Sequence, residues 1–224
     1  MPKVTRRGAG GALLENPSEA FAMTRMLKRL ELPVWVKIRR LNNGRNEDTL
    51  RFVEGLLAAG ADNVCIHGRT AAQRYEGRSD RLVVAEAARL FPGKIAASGD
   101  VRTPEDVQAY LAAGCVVVML ARGAMANPWL FPESLHALRC AVPEGFLNPT
   151  PRQRGAELSR LGERARALCG ERQAVVLIKR LMGGMLKGME GAAELRRRAG
   201  CAADLDSLLE VSTKIGRASC RERV

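Results

Sequence analysis

Four short apolar runs punctuate the first half of the chain, each ending in polar or basic residues. The first two are Val34-Trp35-Val36-Lys37-Ile38-Arg39 and Val64-Cys65-Ile66-His67-Gly68-Arg69-Thr70. The next two are Ile95-Ala96-Ala97-Ser98-Gly99-Asp100 and Val116 to Leu120, leading into Ala121-Arg122-Gly123. Near-continuous apolar runs suit parallel strands buried on both faces, so strands are predicted near residues 34–38, 63–67, 94–98 and 116–120. Val36, Ile38 and Ile66 read as side chains turned toward the inner, ligand-bearing face.

Helical signals fill the intervals. Asn16-Pro17 gives an N-cap and a first-turn proline, and Ala20, Met23, Leu27 and Leu30 recur at helical spacing. A second helix is predicted from Glu47 to Ala59 with Gly60 as its C-terminal glycine, and a third from Asp80 to Leu90. Thr103-Pro104-Glu105-Asp106 opens a fourth with a cap, a proline and acidic residues suited to the helix dipole. After Asn127-Pro128-Trp129-Leu130-Phe131-Pro132 the strand signal stops, and residues 152–169, 172–188 and 191–210 read as helices. The fold class is α/β with an all-helical appendage. Four β-α units fit either part of a β/α barrel, which needs eight in ~250 residues, or a doubly wound sheet.

Composition narrows the class. The 224 residues are 46% hydrophobic and 27% charged, enough for a sizeable core. The longest apolar stretch, Cys115 to Ala121, falls far short of the ~20 residues of a membrane helix. The basic N-terminus lacks the apolar centre of a signal peptide. Six cysteines without a C-x-x-C pair predict mostly reduced core thiols, a cytoplasmic location and no metal. Net charge is +12, spread along the chain, which suits either a polyanion partner such as nucleic acid or a solubilising surface. Residues 215–224 match nothing before them and read like the in-frame translation of a short-read sequencing adapter.

The motifs taken together resemble the tRNA-dihydrouridine synthase family, flavin enzymes that reduce uridine in tRNA. They are Lys3-Val4 with Arg7-Gly8-Ala9-Gly10, Val36-Lys37-Ile38-Arg39, His67-Gly68-Arg69-Thr70 and Gln73-Arg74-Tyr75-Glu76-Gly77. Gly99-Asp100-Val101-Arg102-Thr103-Pro104 and Arg122-Gly123-Ala124 through Asn127-Pro128-Trp129 complete the set. The resemblance covers residues 1–132 closely and the helical module, at Lys187 to Ala192 and Leu195-Arg196, more loosely.

It implies the C-terminal half of a (β/α)8 TIM barrel, residues 1–132, followed by a helical tRNA-binding domain, 133–214. It implies FMN as cofactor, NADPH as reductant and tRNA as partner, with no membrane and no metal. Lys37, His67, Ser98, Gly99, Asp100, Ala121 and Arg122 are the implied cofactor-binding residues, the last five on phosphate-type loops after two strands. Arg39, Arg69 and Arg74 are the implied tRNA contacts, with Lys179-Arg180 and Arg196-Arg197-Arg198 as further backbone grips. The family's general-acid cysteine would lie ahead of Met1, so no catalytic residue is assigned here and the chain alone is expected to be inactive. Three positions depart from the family: Ser98 for an Asn, Ala121 for a Gly, and Arg81 where a Trp is common. Two other functions fit the same residues: an FMN barrel oxidoreductase acting on free pyrimidines, and a tRNA-binding fragment without turnover.

Overall fold

A computed structural model describes residues 2–42 and 45–215. The chain divides into two compact units, Met1–Ala121 and Arg122–Val224. The adapter-like tail lies outside the described residues except for Ile215, which is buried in the helical core.

The first unit is built on four parallel strands: β1 (Trp35–Arg40), β2 (Asn63–Thr70), β3 (Ile95–Ser98) and β4 (Val117–Met119). They lie side by side in chain order with no switch point, as successive right-handed β-α-β steps require. The helices between them are α2 (Pro17–Lys28) ahead of β1, then α3 (Asn46–Ala58), α4 (Arg81–Leu90) and α5 (Pro104–Ala112). A short helix α1 (Pro2–Thr5) and a 3-10 turn at Gly10–Glu15 precede them.

The predicted caps form. The Asn16 side chain accepts from the Glu19 N–H, and Asp80 accepts from Leu82 N–H at 2.8 Å, so Asp80 caps α4 rather than opening it. Thr103 and Asp106 make a reciprocal capping box on α5, a feature whose loss typically costs ~1 kcal/mol. Gly60, at φ +103°, turns the chain out of α3 into β2 where a side chain would be strained.

Strand register decides which side chains share a face, because lateral partners in a parallel sheet point the same way and neighbours along a strand alternate. Val36 pairs with Val64 and Ile95, and Ile38 with Ile66, Ala97 and Val118. Ile38, Val64, Ile66, Ile95 and Ala97 are buried and Val36 and Val118 partly so, on the side where α3 and α4 pack. The expected inward position of Val36, Ile38 and Ile66 is therefore corrected: a one-residue change of parity puts them under the helices. The other face carries Trp35, Lys37 and Arg39 from β1, Cys65 and His67 from β2, Ala96 and Ser98 from β3, and Val117 and Met119 from β4.

In α2, Ala20 and Thr24 are buried and the Phe21 ring packs tilted against Phe52 of α3, centroids 5.4 Å apart. Phe21 occupies the space that a side chain at Gly55 would fill. Of the residues read at helical spacing Ala20 is buried, while Met23, Leu27 and Leu30 are exposed, as is Met26. The thiols depart too: Cys65 and Cys115 are buried, but Cys140, Cys169 and Cys201 are exposed, and all five are free.

The second unit is helical among its described residues: α6 (Arg122–Ala126), α7 (Leu130–Ala137), α8 (Pro151–Cys169), α9 (Glu171–Met185), α10 (Ala192–Cys201) and α11 (Leu205–Thr213). The single helix predicted over 191–210 is two, because Asp204 caps a new helix by accepting from the Ser207 N–H at 2.8 Å. Leu158, Ile178, Met182, Leu205 and Leu208 are fully buried in its core. Small residues allow close approach: a side-chain carbon at Gly155 of α8 would collide with the Ser212 carbonyl oxygen on α11. One at Gly184 would sit 2.5 Å from Cα of Ala126.

Candidate active site

Along the face opposite the helices, Arg39, His67, Ser98 and Met119 form one lateral row, with Lys37, Cys65, Ala96 and Val117 one step before it. Sequence alternation alone produces this arrangement: β1 carries its basic residues at 37 and 39, and strand register brings His67 and Ser98 alongside. The row lies at the C-terminal ends of the strands, where parallel α/β sheets bind ligands.

Lys37 reaches from β1 past β2 to β3 and donates to Ser98 Oγ at 3.4 Å. The residue as a whole is exposed, yet partial burial of its ammonium lowers its pKa, Cys65 opposing this and Arg39 adding to it. Burial likewise pushes the Cys65 thiol up, against the pull of Lys37. Cys65 is thus a protonated, apolar floor beneath the lysine rather than a nucleophile.

His67 is held neutral. Burial lowers its pKa to about 4, and the cations of Arg39, Lys37 and Arg69 add to the effect against the opposing charge of Asp100. Its Nε2 is buried without a hydrogen-bond partner. A neutral imidazole with an unsatisfied nitrogen is a group prepared to bond a ligand or a proton.

Beyond Ser98 the chain turns sharply, with Gly99 at φ +118° and Asp100 at φ +51°. A side chain at Gly99 would meet Ser79 and the His67 ring, so only glycine leaves the imidazole its place. Asp100 accepts from Arg69 Nη1 at 2.8 Å and from the Ser79 N–H at 2.8 Å, with Arg69 Nη2 2.7 Å from its other oxygen. Burial would raise the Asp100 pKa, but these donors prevail and it is lowered. Gly99 O accepts from the Tyr110 hydroxyl at 3.0 Å.

Arg81, in place of the family's Trp, does supply packing. Its guanidinium lies over the Tyr110 ring, 5.2 Å from the centroid, and pairs with Asp106 of the α5 capping box.

The predicted tRNA-contacting arginines separate. Arg69 is 2% exposed, and besides Asp100 it donates to Glu76 O at 3.1 Å and Gly77 O at 2.6 Å. Its donors are directed inward. Arg39 donates to Thr70 O at 2.8 Å and Arg74 O at 3.1 Å. Together the two guanidinium groups hold the 71–77 loop, on whose exposed crest Arg74, at φ +49°, and Tyr75 stand. Thr70 N–H donates to Gln73 Oε1 at 2.8 Å and closes the loop at its base. Ser79 and Tyr110 were not anticipated from sequence. Only their bonds to the Gly99-Asp100 turn reveal them, and no local motif announces such a partner.

Ala121, two residues beyond β4, is exposed, and Arg122 opens α6 of the second unit. Within that unit Lys179 donates to Gly200 O at 3.0 Å and Ala202 O at 2.8 Å, where it caps the C-terminal end of α10. Arg197 pairs with Glu194 at 2.7 Å, while Arg180 and Arg196 are exposed. Arg154 lies over the Trp129 ring at 5.3 Å.

Among the described residues no three His, Cys, Asp or Glu side chains converge as metal ligands. Cationic Lys37, neutral His67 with its orphaned nitrogen and the side-chain-free Gly99 turn instead suit a planar heterocycle rich in acceptors and donors. No helix among the described residues is long and apolar enough to cross a membrane.

The family model described as "Dihydrouridine synthase (Dus)" matches residues 1–218. A Mycobacterium leprae protein named "Probable tRNA-dihydrouridine synthase" is 34% identical over 93% of this chain and 55% of its own length. A Treponema pallidum protein of the same name is 34% identical over 66% of this chain and 46% of its own length. The "tRNA-dihydrouridine synthase B" of Pseudomonas aeruginosa is 27% identical over 92% of this chain and 62% of that protein. The chain thus spans about half the length of the curated relatives it matches. With a family model matched over nearly its whole length, the chain belongs to the dihydrouridine synthase family.

Proposed function

We propose that this chain carries the flavin-binding edge of an FMN-dependent tRNA-dihydrouridine synthase, with NADPH as the electron source and uridine in tRNA as substrate. Its four strands form the C-terminal half of the family's (β/α)8 barrel, and the helical residues 133–214 serve as a tRNA-binding domain in the cytoplasm. The observation that carries this reading is the convergence of Lys37, Arg39, His67 and Ser98, from three adjacent strands, on the face left free by the helices.

Bound and reduced, FMN would supply the hydride that, with a proton for which no donor is assigned in this chain, saturates the C5–C6 bond of uracil, and NADPH would restore the reduced state. Lys37 lays positive charge along the flavin's pyrimidine edge, where reduction builds negative charge. Ser98, accepting from the Lys37 ammonium, keeps that charge on the site face. His67, neutral at physiological pH, offers one ring nitrogen to flavin or uracil without adding a second cation. The backbone of Gly99 and Asp100, with Ala121, serves the cofactor phosphate. Arg39 and Arg74 on the rim approach the RNA, and Arg180, Arg196 and Arg198 contact its backbone from the helical domain. Arg69, buried and fully engaged, takes a supporting role instead of the RNA contact expected for it.

The test is a comparison of acceptors. With the remaining barrel strands fused to this chain and FMN and NADPH present, dihydrouridine is read by mass spectrometry after offering unmodified tRNA or free uracil, uridine and orotate. Preference for tRNA supports the proposal. Turnover of free pyrimidines alone would replace it with a free-base oxidoreductase.

A further inference from the structure

The His67 ring is pinned by a turn anchored through the Asp100 carboxylate and the Gly99 carbonyl. A side-chain carbon at Gly99 would stand 2.6 Å from His67 Cδ2 and 3.0 Å from Nε2, so the bare turn lies against that edge of the imidazole with no room for a side chain between them. The turn is tied down at two points. The Asp100 carboxylate is gripped by Arg69 and by the Ser79 N–H, and the Gly99 carbonyl by the Tyr110 hydroxyl. Arg69 also holds the carbonyls of Glu76 and Gly77, so one buried guanidinium joins the exit of β2, the following loop and the exit of β3. A solvent-exposed pair would not do this. The side chain of Arg69 is 3% exposed and that of Asp100 19%.

We propose that Arg69 and Asp100 are positioning residues whose ion pair clamps the Gly99 turn onto the edge of His67 and fixes the imidazole's orientation on the site face. The consequence for catalysis rests on reading His67 as a flavin or uracil ligand; the clamp itself does not.

The chain has two histidines, His67 and His136, so imidazole ¹⁵N resonances can be assigned with His136→Gln in the whole chain. Asp100→Asn keeps an acceptor for the Ser79 N–H and a residue type tolerant of positive φ, but abolishes the ion pair. The groups facing His67 are Lys37 and Arg39 from β1, Arg69 from β2 and Asp100 beyond β3. Of these only Asp100 raises its pKa. If Asp100 were merely a neighbouring charge, Asp100→Asn would lower the His67 pKa further. A released clamp hydrates the ring and moves its pKa the other way, toward 6.5, by about one unit or more, a tenfold change in the ionisation constant. Tyr110→Phe removes the second tether, leaves the ring under Arg81, and is expected to give a smaller upward shift; it decides the matter if Asp100→Asn does not fold. A His67 pKa that is unchanged or lower in the folded variants overturns the clamp. FMN titrated into the same proteins after the remaining barrel strands are fused to them keeps the two ideas apart. Failure of the completed parent to bind FMN strikes the flavin reading, whereas an unmoved His67 strikes the clamp alone.

Discussion

Lys37 and Ser98 meet across the full width of an intervening strand, with Nζ 3.4 Å from Oγ. The two residues are 61 apart in the chain and sit on strands that do not pair with each other. The contact spans β2, whose Cys65 and His67 lie between the two in the strand register. It holds the ammonium on the site face, and several consequences can be measured.

Removing the Ser98 hydroxyl leaves the half-buried ammonium with one acceptor fewer. In Ser98→Ala the Lys37 pKa falls further below its ordinary value, since burial is already its largest influence. Chemical-shift titration of a ¹³Cε-labelled lysine gives the direction. An increase would mean that Ser98 does not stabilise the charged form.

His67 makes stability depend on pH with a defined sign. Its folded pKa, about 4, lies below the unfolded value near 6.5. Between those values the unfolded chain binds more protons, so stability is greatest above pH 6.5 and is lost as pH falls toward 4. After allowance for solvent screening at this half-buried site the loss is on the order of 1–2 kcal/mol. Urea unfolding at pH 7 and pH 4.5 should show a steeper decline for the parent than for His67→Gln. Parallel declines would remove His67 as the cause.

Two glycines in the helical unit should respond in opposite directions. Gly155→Ala drives a carbon into the Ser212 carbonyl oxygen and should destabilise by about 1–3 kcal/mol. Gly183, inside α9, has open space around its Cα, and Gly183→Ala should stabilise by roughly 0.5–1 kcal/mol through helix propensity. Thermal melts of the two variants against the parent check both signs.

Much of the fold was legible because its signals are local. Caps at Asn16, Asp80 and Thr103, the turn at Gly60 and four apolar runs mark elements within a residue or two of their ends. Parity is written in β1 alone, where Lys37 and Arg39 alternate with Val36 and Ile38. The runs at Val64 to Ile66 and Ile95 to Ala97 are apolar at successive positions and do not say which residues face the helices, and the inward reading of Val36, Ile38 and Ile66 weighs apolarity over that alternation. The stripe of Met23, Leu27 and Leu30 reports an apolar face but not the neighbour that lies on it. In the site, Lys37, His67 and Gly99 stood out by type and motif. Arg69 did not reveal its burial, because an arginine bound to backbone carbonyls and one bound to phosphate look alike in sequence. Ser79 and Tyr110 act through bonds made only when distant turns meet.

The most direct measurement completes the barrel and then removes one charge. With the remaining strands supplied from the Mycobacterium leprae relative, fused to this chain, the protein should take up FMN and form dihydrouridine in unmodified tRNA. Lys37→Ala in that protein should slow uridine reduction by about 10²–10³ and weaken FMN binding by less than about tenfold, because the charge matters most where negative charge develops. Equal rates of uridine reduction in the two flavin-loaded proteins would contradict the role given to Lys37 and the placement of the flavin edge on this face.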